Sequence, residues 1–180
     1  MFYFHNNTQS NQRRLGIIPP KLKPDDEIRV IAPAESLSPK FKMEMRQRAR
    51  KKLESLGLRV SFGNYIDERD NFDTGSVRHR LEDLHNAVSD PNVKAIIAAN
   101  GGSSANQLLK HIDYNLLWQH PKIFCGLSDI TELTSAIYAK TGLVTYYGPH
   151  FTMIGATHLI DHSIENMKKT FRKYENGLLP

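Results

Sequence analysis

The residues best suited to chemistry lie at one corner of the chain. Ile123-Phe124-Cys125-Gly126-Leu127-Ser128-Asp129-Ile130-Thr131 reads as a buried strand that turns sharply into a helix, with a serine at the turn. A serine so placed points its hydroxyl out at the sheet edge. The next backbone N–H and the positive end of the helix face the same space, so the corner can make Ser128 a nucleophile and can stabilise an oxyanion. The pattern is Gly-x-Ser-Asp where the usual nucleophile elbow has Gly-x-Ser-x-Gly. A plain helix cap explains the same residues, because Ser and Asp are both favoured there.

A second corner has complementary chemistry. Ala98-Ala99-Asn100-Gly101-Gly102-Ser103-Ser104 closes the apolar run Val93 to Ala99 and opens another helical segment. Paired glycines let the backbone approach a ligand closely and turn its N–H groups outward. If the two strands run parallel, both corners lie at the carboxyl edge of one sheet, where open α/β folds place ligands. The alternative for Asn-Gly-Gly is a tight turn with no ligand.

The elements that must position these corners follow from periodicity. Strands are expected at Glu27 to Ala32, Leu58 to Phe62, Val93 to Ala99, Ile123 onward and Leu143 to Tyr147. A first helix is expected with Ser38 as N-cap and Pro39 at its first position, ending at Gly57. A second should run from about Ser76 to Ser89, with Val77, Leu81, Leu84 and Val88 on one face. Short helices follow through Leu108-Leu109 and Leu116 to Trp118. The helix after Ser128 carries a capping-box pattern, Asp129-x-x-Glu132, and should stop at Gly142. A last helix is expected over His162 to Tyr174, and Gly63 to Gly75 is a polar stretch long enough for a functional loop. Strands alternating with helices, joined by right-handed crossovers, imply an α/β fold: a three-layer, mostly parallel sheet with helices on both faces.

Composition limits the function classes. The chain has 180 residues, 39% hydrophobic, enough for one core, and a net charge of +5 that permits an anionic ligand without requiring one. Arg46, Arg48, Arg50, Lys51 and Lys52 alternate with Met45, Ala49 and Leu53 at helical spacing, which marks a solvated helix face. No nucleic-acid-binding motif accompanies them, and no nucleic-acid partner is expected. No apolar run reaches the ~20 residues of a membrane span, and Met1 to Phe4 is too short for a signal-peptide core, so the expected location is the cytoplasm. The single cysteine, Cys125, excludes an internal disulfide and reads as a small core residue. Residues 1–18 read as a polar flexible tail, 19–150 as the nucleophile-bearing domain and 151–180 as a helical linker toward a further domain.

Taken in order, Val93-Lys-Ala-Ile-Ile, Gly101-Gly102, Asn106-Gln107-Leu108-Leu109, Ile112-Asp113-Tyr114, Pro121-Lys122-Ile123-Phe124, Gly126-Leu127-Ser128-Asp129 and Gly148-Pro149 resemble the LD-carboxypeptidase family of serine peptidases (family S66). Pro20 to Asp26 leading into Ile28 to Pro33 resembles that family's opening strand, and Arg80-x-x-Asp83-Leu84 the helix before its glycine loop. The likeness runs from about Pro19 to the carboxyl end and is to the family's amino-terminal domain. Asn106 to Leu109 looks closer to the microcin C self-immunity branch than to the murein-recycling branch. The resemblance implies a flavodoxin-like or class I amidotransferase-like domain.

It also implies a mechanism. Ser128 would attack an amide carbonyl to give an acyl-enzyme that water resolves. The N–H of Asp129 and one from Gly101, Gly102 or Ser103 would hold the oxyanion, with the Asp129 carboxylate capping the helix or orienting the loop. The substrate would be a peptide ending in a D-residue on an L-centre or, in the microcin branch, a peptidyl aminoacyl nucleotide. No metal and no cofactor are expected. The family takes its Glu and His from a carboxyl-terminal domain, and no segment here resembles it, so the chain reads as truncated and inactive alone. His150 is the one histidine placed to line the cleft or to serve as an internal base. The remaining readings are a non-catalytic α/β module that binds an anionic small molecule or nucleotide, and a phosphate site at Asn100-Gly101-Gly102. Tyr146, Tyr147, Phe151, Met153, Ile154, Leu178 and Leu179 are candidate members of a docking surface for the missing domain, through which the isolated chain could self-associate as a homodimer.

Overall fold

Two-residue alternation in the apolar runs decides how the sheet is covered. In the computed structural model, which describes residues 16–37, 41–156 and 161–172, these runs form β1 (Glu27–Ile31), β2 (Arg59–Phe62), β3 (Val93–Ala98), β4 (Ile123–Gly126) and β5 (Tyr146–Tyr147). Every neighbouring pair is parallel, in the order β2-β1-β3-β4-β5. Ile28, Val30, Ala95, Ile97, Ile123 and Cys125 face one core, whereas Ile31, Ile96, Ala98 and Phe124 face the other.

The helices divide accordingly. Leu53 and Ala49 of α1 (Met43–Glu54), Phe151 and Ile154 of α5 (Phe151–Gly155), and Met167 and Phe171 of α6 (Asp161–Phe171) close the first core. Leu84 and Val88 of α2 (Val77–Ser89), Leu117 of α3 (Tyr114–Gln119), and Ile130, Leu133 and Ile137 of α4 (Ile130–Thr141) close the second, with a short 3-10 helix, Ala105–Leu108. The result is a three-layer α/β sandwich. Fully buried side chains such as Ile97 and Phe124 stabilise it by roughly 1.5–3 kcal/mol each.

Several element boundaries differ from the sequence expectations for local reasons. Helix α1 begins at Met43, with Lys42 at its cap and no side-chain capping bond. Ser38 and Pro39 lie outside the described residues, as do residues 1–15, Tyr174, Leu178 and Leu179. Strand β5 is two residues long because Leu143 and Val144 instead pair with Ile17, so residues 16–18 join the folded domain. The capping box is not formed: Asp129 makes no side-chain cap bond, because its carboxylate turns toward the glycine loop. The cationic face of α1 is also more than solvated, since Arg48 and Lys52 donate to the end carbonyls of α5 at Gly155 and Ala156.

Helix α5 was not legible in the sequence. It turns Phe151 and Ile154 fully into the core, so these two do not belong to an exposed docking surface. Its contact with α1 is close enough that a Cβ on Gly155 would sit 2.3 Å from the Met45 carbonyl oxygen. Tyr147 remains exposed, with Tyr146 and Met153 half-buried beside it.

Candidate active site

The turn after β4 is strained at its serine. Ser128 has φ +58°, a left-handed conformation that costs a non-glycine residue about 1–2 kcal/mol, and its side chain is exposed. The surroundings over-determine this geometry. Ser128 O accepts from Thr131 N at 2.9 Å, and Leu127 O accepts from Ile130 N at 3.3 Å. Gly126 has no room for a side chain, since a Cβ there would lie 2.6 Å from Cγ2 of Ile130. The helix therefore begins hard against the end of the strand, which throws Ser128 outward.

The glycine loop meets this turn at the point where the sheet order reverses. Connections from β1 lead to β2 on one side and, through β3, to β4 and β5 on the other, so the crevice lies above the carboxyl ends of β1 and β3. Residues 99–104 leave β3 there, and Gly101 faces the nucleophile turn: a Cβ on it would lie 3.2 Å from Ser128 Cβ and 3.1 Å from His150 Cε1. Gly102 adopts φ +148°, with Glu35 N only 3.0 Å from where its Cβ would be. Gly101 O accepts from Glu35 N at 2.9 Å. Among the described residues, no hydrogen bond takes up the N–H of Gly102, Ser103 or Asp129.

Two charged residues fasten the loop's far end. The Asp129 carboxylate accepts from the N–H groups of Ser104 and Ala105, both at 2.9 Å. Buried Arg80 donates to the carbonyls of Pro33 and Ser104, both at 3.0 Å, to Ser104 Oγ at 3.2 Å, and to Gln107 Oε1. Burial pulls the Arg80 guanidinium below its ordinary pKa, while Asp70, Asp129 and Glu68 pull it back up. Thr74, at the end of the polar loop, hydrogen-bonds Ala34 O and Ser104 Oγ. In the sequence Arg80 is legible only as part of a helix, and Thr74 and Glu35 carry no local signal. An arginine on an otherwise apolar helix face, one turn after the cap Ser76, was the available signal for Arg80.

His150 is buried beside this corner. Its Nε2 lies 2.7 Å from Leu127 O and 3.3 Å from Leu127 N, donating to the one or accepting from the other according to the tautomer. Burial holds its pKa below the ordinary value, and the bond to Leu127 only partly offsets this. Among the described residues no hydrogen bond joins His150 to the Ser128 hydroxyl; the ring's contact is with the backbone just before the serine, and both side chains border Gly101. Cys125 is fully buried and its thiol is pushed up to about 12 by burial, which removes it as a nucleophile. Among the described histidines, His79 is held by Glu68 and His85 accepts from Asp113 N, while His111, His120 and His162 are exposed. No cluster of three or more His, Cys, Asp or Glu placed to hold a metal occurs among the described residues. No described helix is long and apolar enough to cross a membrane. A hollow of about 300 Å³ opens next to Leu127, bounded by Tyr146, Tyr147, Met153, Met167 and Phe171.

The profile of the LD-carboxypeptidase N-terminal domain matches residues 28–148. YocD of Bacillus subtilis, which bears a carboxypeptidase's name, is 48% identical over 81% of this chain and 44% of its own length. A murein tetrapeptide carboxypeptidase of Pseudomonas aeruginosa is 32% identical over 75% of this chain and 43% of its own. Among solved structures, an MccF-like protein from Bacillus anthracis superposes with a TM-score of 0.85 at 46% identity, covering 87% of this chain and 47% of that one. The microcin C7 self-immunity protein MccF in complex with aspartyl sulfamoyl adenosine superposes at 0.82 with 28% identity, covering 91% and 50%. The chain thus spans about half the length of the relatives it matches.

Proposed function

The chain belongs to the LD-carboxypeptidase family, and we propose on that premise that it is the nucleophile-bearing half of a serine carboxypeptidase. Ser128 attacks the amide carbonyl. The resulting oxyanion is held by the N–H of Asp129 and by one from Gly101, Gly102 or Ser103 of the glycine loop. A base and its acid come from a carboxyl-terminal half, as the family resemblance implies. The reading is supported above all by one observation: an exposed serine held at φ +58° against Gly101, next to a loop whose Gly102 and Ser103 N–H groups no described hydrogen bond takes up. Loss of one such donor in other serine hydrolases costs about 3 kcal/mol of transition-state stabilisation.

Two substrate classes fit a family that includes both murein tetrapeptide carboxypeptidase and MccF. One is an LD-peptide of murein type, the other a peptidyl aminoacyl nucleotide, and the proposed location is the cytoplasm. Residues 151–172 lead toward the second half, which covers the Tyr147 surface. Left alone, that surface lets the chain self-associate.

The test is turnover of both substrate classes, with fluorophosphonate labelling, by the chain alone and by the chain extended with a carboxyl-terminal half. The expected result is negligible turnover alone and, once extended, turnover and labelling that vanish in Ser128→Ala. Turnover that survives Ser128→Ala removes the serine mechanism. An extended protein that binds aspartyl sulfamoyl adenosine but neither turns over nor labels is a binding module.

A further inference from the structure

We infer that the Asp129 carboxylate is a positioning group that sets the spacing between the two halves of the oxyanion hole, with Arg80 as its counterpart on the same residue, Ser104. The inference rests on the proposed function for its catalytic meaning, but the clamp itself is a matter of geometry.

An oxyanion hole built from two backbone segments works only if the segments keep a fixed separation, because each donor must lie about 3 Å from an atom that exists only transiently. Here one donor is the N–H of Asp129, at the start of α4. The other belongs to a loop that leaves β3. These elements are separated by 24 residues or more in the chain, as the span from Asp129 to Ala105 shows. Nothing covalent sets their distance. Pairing of β3 with β4 sets the two side by side, and the Asp129 side chain ties their ends together, since Oδ2 takes the N–H of both Ser104 and Ala105 at 2.9 Å. One residue thus offers its own N–H to the substrate and uses its carboxylate to hold the loop that offers the second.

The grip on Ser104 comes from the other side as well. Its carbonyl and its hydroxyl both accept from Nη1 of Arg80, which is buried and bridges on to Pro33 O and Gln107. Ser104 is therefore held at its N–H by an anion and at its oxygens by a cation. Charge-assisted bonds of this kind are about twice as strong as neutral ones. At the loop's near end, Gly101 O is held by Glu35 N. Between these two anchors lie Gly102 and Ser103, both exposed, and no described hydrogen bond takes up their N–H groups or that of Gly101. The loop is pinned at each end and open in the middle, as a preformed donor site requires. This arrangement also explains why the Asp129-x-x-Glu132 pattern forms no capping box: the carboxylate has a second, more distant pair of N–H groups to satisfy.

The experiment combines two readouts on Asp129→Ala, Asp129→Asn and Arg80→Lys. In the 180-residue chain, amide hydrogen exchange is followed at Ser104 and Ala105, with Ile97 in the central strand as reference. In the extended protein, the rate of fluorophosphonate labelling at Ser128 is followed. Asp129→Ala is expected to speed exchange at Ser104 and Ala105 by ~10-fold or more, leave Ile97 unchanged, and slow labelling by roughly 10- to 100-fold. Asp129→Asn keeps a neutral acceptor and should recover part of both effects, and Arg80→Lys, with one ammonium in place of a fork, should fall between. A general structural role would move Ile97 along with the loop. Unchanged exchange at Ser104 and Ala105 in Asp129→Ala, or unchanged labelling beside faster exchange, overturns the inference. If Asp129→Ala does not fold, Asp129→Asn decides on the same criteria. If the wild type and Ser128→Ala label alike, it is the serine mechanism that fails, and the exchange measurement still decides the clamp.

Discussion

Gly101 lies against Ser128 so closely that a methyl group on the glycine would sit 3.2 Å from the serine Cβ and 3.4 Å from its Oγ. Glycine at this position is what brings the loop of β3 and the turn of β4 to one place. Gly101→Ala should therefore displace Ser128 or His150, while Gly102→Ala should strain the backbone itself, at φ +148°. We expect Gly102→Ala to cost about 1–3 kcal/mol of stability, and Gly101→Ala to cost less stability but as much Ser128 labelling. Urea unfolding alongside fluorophosphonate labelling separates the two. Equal labelling of Gly101→Ala and wild type would show that the close approach has no functional weight.

The strain at Ser128 predicts a trade between stability and function. Ser128→Ala removes the nucleophile and keeps the strain. Ser128→Gly removes both, and should be more stable than Ser128→Ala by about 1 kcal/mol, because glycine adopts positive φ without the Cβ clash. Thermal unfolding of the two variants gives the difference. A Ser128→Gly variant less stable than Ser128→Ala would mean that the turn is not strained.

Gly126 predicts a packing cost that a second substitution can relieve. A methyl there would press on Ile130, at 2.6 Å from Cγ2 and 3.0 Å from Cβ, so Gly126→Ala should destabilise by about 1–3 kcal/mol. Adding Ile130→Ala should make the pair less than additive, because the removed side chain is the obstacle. A double-mutant cycle in urea measures the coupling, and strict additivity would contradict the contact.

His150 and His85 make the fold sensitive to mild acid. Both have folded pKa values lowered from 6.5, burial being the main cause in each. The unfolded chain then binds more protons than the folded one as pH falls below about 6.5, so stability is present above that pH and is lost on acidification. Glu27 and Asp90, also lowered, lose their contributions only at lower pH, below their ordinary values of 4.5 and 3.8. Asp83, raised by burial, works in the opposite direction. Urea midpoints at pH 7.5 and 5.5 should differ in the wild type and differ less in His150→Gln, whose amide can still donate to Leu127 O. An unchanged pH dependence in that variant would remove His150 from the account.

The sequence by itself determined the class of fold and the location of the chemistry. Apolar runs between amphipathic segments made a mostly parallel sheet with helices on both faces legible, and the structure makes every pair parallel. The flanks of β3 and β4 showed where glycines and a serine leave that sheet. These are local signals, and burial of β-branched and aliphatic residues enforces them wherever the chain goes. Element ends were less legible. The start of β5 and the placing of α5 depend on partners distant in sequence: Ile17 for Leu143, Met45 for Gly155.

Only the tertiary structure decided how the corners meet. That Asp129 serves the loop at Ser104 instead of its own helix could not be read from Asp129-x-x-Glu132, because the competing N–H groups come from another strand. The buried side of Arg80, the bond from His150 to Leu127 and the positive φ of Ser128 belong to the same category. Arg80 and His150 are buried polar groups whose cost is offset by bonds to residues tens of positions away, and Ser128 is a strained one packed against the distant Gly101. Pattern and propensity report what a segment prefers alone, whereas a site of this kind consists of the preferences that packing overrides.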